Sequence, residues 1–239
     1  PGQNDGMILR LTNRLKTTLA AVVVAVFVLA VAVFGVAFPA HLLGHAGFSS
    51  VWVTDADGGL LREAAGPMQA RARWVPLREI SPWMVKATIA SEDSRFVWHP
   101  GVDPVAIVRA VTQDVWAMRV VSGASTLTQQ TVRLLMPRRP GEGVLRQKLR
   151  EAVWALRLER ACSKDEILEQ YLNRAPYGHN IVGVEAAAML YLGKHAADLT
   201  LADAAWLAAV PRGPRMRPRR RCDGHGRGSE LRQKARVTM

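Results

Sequence analysis

The sequence predicts a mainly α-helical domain behind an N-terminal transmembrane helix, and three observations predict it. Leu19 to Phe38 is a run of twenty apolar residues, all Ala, Val, Leu, Phe or Gly. At about 1.5 Å per residue such a helix would reach roughly 30 Å, one hydrocarbon core. After Glu63 the pattern is helical to about residue 210, with apolar residues at helical spacing between capping signals. The folded part is also close to neutral, as expected of a globular domain with basic appendages.

The 239 residues suffice for one domain with appendages, and 49% hydrophobic content allows a sizeable core. The net charge of +12 is unevenly spread. Arg212 onward holds ten Lys/Arg and two acids, the segment before the apolar run contributes +2, and His41 to Pro211 only +2. A nucleic-acid binder would carry its basic surface on the folded domain with aromatics interleaved, so nucleic acid is not an expected partner. The two cysteines, Cys162 and Cys222, have no partners at metal-ligand spacing and make no disulfide framework.

Taken in order, residues 1–16 form a short basic N-terminus and 17–40 the membrane helix. A cleaved signal peptide would have an apolar region of only about 7–15 residues, so a retained helix is expected. Arg10, Arg14 and Lys16 precede it, which puts the N-terminus in the cytoplasm and the rest outside. Residues 41–73 are a linker with a short hairpin, Ser50–Thr54 and Leu60–Glu63 around Asp57-Gly58-Gly59. The main domain is 74–211. Trp83 to Ala90 reads as a buried helix. Asp103-Pro104 opens another, with Val105, Val108, Val111 and Val115 on one face. Ser125 or Thr126 caps the next, which stops before Pro137. A basic loop leads to a long amphipathic helix, Val144–Arg160. Ser163-Lys164-Asp165-Glu166 is a capping box for a helix ending near Asn173. Tyr177-Gly178 reads as a turn, Ile181–Leu192 as helix, and Thr200 to Asp203 as the cap of a last helix ending at Pro211. Residues 212–239 lose apolar periodicity and read as a basic, disordered or truncated tail.

Four stretches could carry chemistry. Glu92 and Asp93 end an apolar helix, where the helix dipole disfavours acids; a partly desolvated carboxylate there suits general-base work, although a surface pair ending a helix has the same sequence. Gly123 to Gln130 holds Ser125, Thr126, Thr128, Gln129 and Gln130 with almost no bulk. Its free helix-start N–H groups favour anions, and Arg133 lies one turn on; a plain helix cap explains the hydroxyls but not the paired glutamines. Lys148 and Glu151 share a helix face, which on spacing alone is a solvated salt bridge. Tyr171-Leu172-Asn173 reads as a helix end with Asn in a left-handed cap. His99, His179 and His195 lack metal-ligand spacing, and no metal site is expected among them.

Together these stretches resemble glycosyltransferase family 51, the peptidoglycan polymerase domain of class A penicillin-binding proteins. Glu92-Asp93-x-x-Phe96-x-x-His99-x-Gly101-x-Asp103 resembles the first motif and Gly123-x-Ser125-Thr126-x-Thr128-Gln129-Gln130 the second. Lys148-x-x-Glu151 with Leu158-Glu159 resembles the third, and Lys164-x-x-Ile167-Leu168-x-x-Tyr171-Leu172-Asn173 the fourth. Asn173 to Gly178 is most similar to the 1C subgroup. The resemblance implies a lysozyme-like, two-lobed, mainly α fold. It implies polymerisation of lipid II into β-1,4 glycan strands with release of polyprenyl pyrophosphate and inversion at the donor carbon. Glu92 is the implied base, and Glu151 the second catalytic group, acting through a divalent metal or by orienting Lys148. Asp93, Phe96, Ser125, Thr126, Gln129, Gln130, Arg133 and Lys148 are the implied substrate-binding set, with Asp93, His99 and Asp103 shaping the loop around Glu92. No tightly bound cofactor is expected; Mg or Mn is the candidate assisting ion. The implied partners are lipid II, the growing glycan strand, the membrane and other cell-wall synthesis proteins. The implied location is the bacterial inner membrane, with the catalytic domain outside.

Two departures stand out. Gln147 precedes Lys148 where the family usually has Arg, and Pro211-Arg212-Gly213-Pro214 replaces the usual closing segment. The transpeptidase signatures Ser-x-x-Lys, Ser-x-Asn and Lys-Thr-Gly do not occur in the 239 residues, so glycan polymerisation without cross-linking is expected, from a chain cut short of a bifunctional relative. The rival readings are a lysozyme-like lytic enzyme and a non-catalytic membrane-anchored remnant.

Overall fold

The computed structural model describes residues 2–44, 48–54, 56, 60–64, 70–117 and 125–212. The Asp57-Gly58-Gly59 turn, Gly123 and the tail after Arg212 lie outside the described residues. The chain is mainly helical with two small sheets. It forms two compact units, Pro1–Ala46 with Thr88–Arg174, and Gly47–Ala87 with Ala175–Met239.

The first unit carries α1 (Gly2–Phe34), the end of α2 (Pro82–Glu92), α3 (Pro104–Ala117), α4 (Leu127–Leu135), α5 (Val144–Ala161) and α6 (Lys164–Arg174). Its core is Phe96, Leu127, Leu158, Ile167 and Leu172, all fully buried, where α4 packs on α5 and α6. The predicted cap of α4 and the predicted capping box of α6 are both present here. Thr126 and Gln129 cap α4 reciprocally, which decides between Ser125 and Thr126. At α6 the Ser163 and Glu166 side chains each accept from the other's backbone N–H. Asp103 caps α3 by accepting from the N–H groups of Val105 and Ala106 at 2.9 and 3.2 Å.

The apolar run of twenty does not form one helix. α1 stops at Phe34, and Gly35 to Pro39 leave it, because Gly and Pro are poor helix formers. The helical part, Leu19 to Phe34, rises only about 24 Å, short of the roughly 30 Å of a hydrocarbon core. Among the described residues no helix is long and apolar enough to cross a membrane, which corrects the expected span over 17–40. The described apolar side chains of α1 still point largely outward: Leu19 is 62% and Phe27 67% exposed. Beyond α1 a single 3-10 turn, Ala40–Leu43, is stitched to α6. Gln170 donates to the Leu43 carbonyl at 3.1 Å, and Arg174 to those of Leu42 and Gly44 at 3.2 and 2.9 Å. Burial pushes the Arg174 guanidinium down to about 10.

Three expectations about the helices are corrected. α2 is not buried all round: Met84 and Thr88 are inside, but Trp83 is 46% exposed. The described valines on the α3 face, Val105 and Val108, are exposed. Asn173 is no left-handed cap; it lies within α6, fully buried, and its amide donates to the Glu169 carbonyl at 2.9 Å. Thr88 Oγ1 is the buried side-chain polar atom without a hydrogen-bond partner among the described residues. Thr88→Val removes that cost while keeping the shape, and is expected to stabilise the protein by about 1 kcal/mol. A denaturant midpoint that falls would contradict it.

In the second unit β1 (Val51–Thr54) and β2 (Leu60–Ala64) pair antiparallel as the expected hairpin. Three short strands were not expected: β3 (Arg71–Ala72) pairs parallel to β5 (Ile181–Val182), and β4 (Pro176–Gly178) pairs antiparallel to it. The β4–β5 link is a two-residue turn with both His179 and Asn180 at positive φ, 50° and 61°, the backbone that matches strand twist. The predicted turn at Tyr177-Gly178 is therefore a strand, and α7 begins at Val184 rather than Ile181 (Val184–Leu192). α8 (Leu201–Ala209) has the expected Thr200–Asp203 capping box. Lys194 hydrogen-bonds Asp203, which with the cap holds that carboxyl down at about 2.

Candidate active site

Glu92 is the last residue of α2, half-buried, and its Oε2 accepts from the Gln130 amide at 3.0 Å. The next carboxylate points elsewhere. Asp93 Oδ2 accepts from His99 Nε2 at 3.0 Å and from the Leu127 N–H at 2.9 Å. Burial favours the neutral form of Asp93, but the His99 and Leu127 hydrogen bonds outweigh it and hold the carboxyl below its usual range. The anion expected at the start of α4 is thus supplied by the protein itself. The tautomer of His99 follows from its second bond. Nδ1 accepts from the Gly101 N–H at 3.1 Å, so Nε2 carries the proton and donates to Asp93.

Gly101 allows this loop to turn against α5. Its φ is +98°, and a Cβ would sit 2.8 Å from the Ala155 carbonyl oxygen. That neighbour is helix backbone and cannot give way. Gly101→Ala is expected to cost about 2–3 kcal/mol from backbone strain and overpacking together. Thermal melting checks it, and an unchanged midpoint would contradict it. Phe96 is fully buried beneath the loop, so it supports the site rather than presenting a surface to a ligand. Asp103 is likewise inside, bonded to Arg95 at 3.1 Å.

α4 carries the second half of the site. Thr126 Oγ1 donates to the Gly101 carbonyl at 2.6 Å while also accepting from the Gln129 N–H. Gln129, 7% exposed, returns its side-chain oxygen to the Thr126 N–H at 3.0 Å. Both are committed to the cap. Gln130 and Arg133, three residues apart, share an α4 face. Gln130 reaches Glu92. Arg133 grips Glu151 with two hydrogen bonds, 2.8 and 2.9 Å.

Glu151 is 1% exposed and is a hub. It accepts from Arg133, from Gln147 at 2.7 Å and from Lys148 at 3.4 Å. Burial works against its charged form. The hydrogen bonds of Arg133 and Gln147 and the charges of Arg133 and Lys148 overcome this and hold it below its usual 4.5. Lys148 also donates to Ser125 Oγ at 2.6 Å. Gln147, the residue that departs from the motif, is therefore used on this carboxylate, whereas Arg146 is exposed. Two cations and an amide around Glu151 form a donor set that does not fit a divalent ion. Among the described residues no group of three or more His, Cys, Asp or Glu could hold a metal.

The structure thus brings Glu92, Gln130, Arg133, Lys148, Ser125 and Glu151 to one region of the first unit, and places Asp93, Phe96, Thr126 and Gln129 as its frame. Four further residues join it. Thr128 donates to Glu159 at 2.6 Å, Lys164 to the same oxygen at 2.7 Å, and the Tyr171 hydroxyl approaches Gln130 Oε1 at 3.4 Å. Nothing in helical periodicity singles out Glu159 and Lys164, which lie across the break between α5 and α6.

Residues 57–237 match the family described as Transglycosylase. The chain is 48% identical over 141 residues to penicillin-binding protein 2D of Bacillus subtilis, covering 59% of this chain and 20% of that protein. It is 46% identical over 147 residues to penicillin-binding protein 1C of Escherichia coli, covering 61% and 19%, and 43% identical over 164 residues to penicillin-binding protein 1A of the same organism, covering 68% and 18%. It spans about a fifth of the length of these relatives. The match over most of the chain, with the motif residues gathered at one site, shows that the chain belongs to the transglycosylase family, glycosyltransferase family 51.

Proposed function

We propose that this chain is a peptidoglycan glycosyltransferase that polymerises lipid II into β-1,4 glycan strands and releases polyprenyl pyrophosphate. The observation that carries it is the arrangement of α4 against α5. A half-buried carboxylate, Glu92, meets α4 at Gln130, and one turn on, Arg133 pairs with Glu151 of α5, which also holds Lys148. Glycosyl transfer from a diphosphate needs both ends. Glu92 takes the proton from the acceptor's 4-hydroxyl, and that oxygen attacks the anomeric carbon of the donor. The bond to the diphosphate breaks on the opposite face, and the departing charge is met by cations already oriented. Glu151, buried behind them, acts through Lys148 and Arg133 rather than on substrate. Gln130, Ser125, Lys148 and Arg133 are the accessible substrate contacts, with Asp93, Phe96, Thr126 and Gln129 framing them.

A lipid-linked substrate accounts for the apolar stretch of α1 from Leu19 to Phe34, preceded within the same helix by Arg10, Arg14 and Lys16. In this reading α1 brings a lysozyme-like domain to the outer face of the bacterial inner membrane, beside other cell-wall synthesis proteins. Incubating the protein with labelled lipid II in detergent or liposomes tests the proposal. A ladder of lengthening glycan, sensitive to muramidase, is expected; shortened fragments from added sacculi, with no ladder, would replace it with a lytic reading.

A further inference from the structure

We propose that Lys164 is a positioning residue for the Glu92 site, acting through Glu159, Thr128 and the backbone of His99; the inference rests on the reading of Glu92 as the base. Three consecutive residues at the start of α4 are tied down separately. Thr126 binds the Gly101 carbonyl, the Leu127 N–H binds Asp93, and Thr128 binds Glu159. These ties fix both the rotation and the axial position of α4, hence where Gln130 meets Glu92.

Lys164 joins the tie from Thr128 to the loop that supplies the other two. Its ammonium donates to Glu159 Oε1 and to the His99 carbonyl, both at 2.7 Å, and lies 4.4 Å from the Phe96 ring centre. Thr128 is fully buried and the Glu159 side chain is 8% exposed. A largely apolar groove of about 670 Å³, walled by Val26, Leu29 and Val33 of α1 and by Trp98 and Leu156, has Glu159 and Lys164 in its lining. An ion pair in such surroundings is little screened, so it holds its geometry firmly. Without the ammonium, Glu159 keeps a buried charge facing Thr128, and the His99 carbonyl loses its partner. The start of α4 and the 93–101 loop are then no longer coupled through α6.

The experiment compares Lys164→Met, Lys164→Arg and the double variant Glu159→Gln/Lys164→Met in the full chain, with initial rates on lipid II, melting temperature and 15N signals of the His99 ring. Lys164→Met is expected to lower kcat about 30-fold with KM within about twofold, because misplacing a base by a fraction of an ångström acts on the chemical step. Lys164→Arg should restore most of kcat. The double variant should regain the melting temperature lost by Lys164→Met but not kcat, and the His99 signals should shift in both Met variants. Wild-type kcat in Lys164→Met, or a loss that follows melting temperature and is recovered in the double variant, overturns the proposal. A wild-type chain that makes no glycan would sink the functional reading alone, since His99 signals unchanged by Lys164→Met would still overturn the positioning role.

Discussion

Glu92→Gln is expected to reduce polymerisation by about 10³-fold or more, the upper range of what a positioned base contributes, or about 4 kcal/mol on the barrier. Glutamine keeps the volume, and its carbonyl oxygen can still accept from the Gln130 amide that now holds Glu92 at 3.0 Å. The fold should therefore survive, with a melting temperature within about 2 °C of wild type, a surface-scale effect. Glu92→Asp retains the carboxylate but draws it back from the substrate, and should fall between the two. The measurement is the initial rate of glycan formation from lipid II beside a thermal melt of the same preparation. Polymerisation by Glu92→Gln at the wild-type rate would remove Glu92 from the mechanism.

Glu151→Gln should damage stability and rate together. The carboxylate it removes is 1% exposed and binds Arg133 through both oxygens. Breaking such a pair from one side costs up to about 5 kcal/mol when the partner stays buried. Here the Arg133 and Lys148 side chains are 40% and 44% exposed and can turn to water, so a loss of about 3 kcal/mol is expected. The pH dependence has a definite sign. The folded-state carboxyl lies below the usual 4.5, so its contribution is complete above that value and is lost as pH falls through the folded-state value. The stability gap between wild type and Glu151→Gln should be constant from neutral pH down to about 5, then close under acid. With Lys148 and Arg133 released, polymerisation should fall about 10²-fold. A gap that widens under acid would show that Glu151 is not held ionised.

Much of this was legible in the sequence where the physics is local. The capping boxes at Thr126, Ser163 and Thr200 each join residues three apart, and the long helices follow from apolar spacing. The strands β3 and β5 were not legible, because each is two residues long and Arg71 pairs with Ile181 across more than a hundred positions. The turn expected at Tyr177-Gly178 falls instead at His179 and Asn180, two non-glycine residues at positive φ. In the apolar run, hydropathy outweighed Gly35, which sits where α1 ends. At the site, the types of the charged residues were readable but their partners were not. Asp93 was grouped with substrate contacts, yet its acceptor oxygen is filled by a backbone N–H thirty-four residues away. Glu151 was legible as a neighbour of Lys148, but its stronger grip on Arg133 depends on how α4 packs against α5.

The Glu151 hub also bears on how the site lets go. Arg133 and Lys148 are tethered to a carboxylate before any diphosphate arrives. A leaving group must share them with that resident anion, so their hold on the departed product is capped. The same competition recaptures the cations once the product moves away, resetting the site. Under the proposed polymerisation, where each transfer releases a diphosphate-bearing lipid, a moderate grip on that product favours a further transfer over a stalled complex.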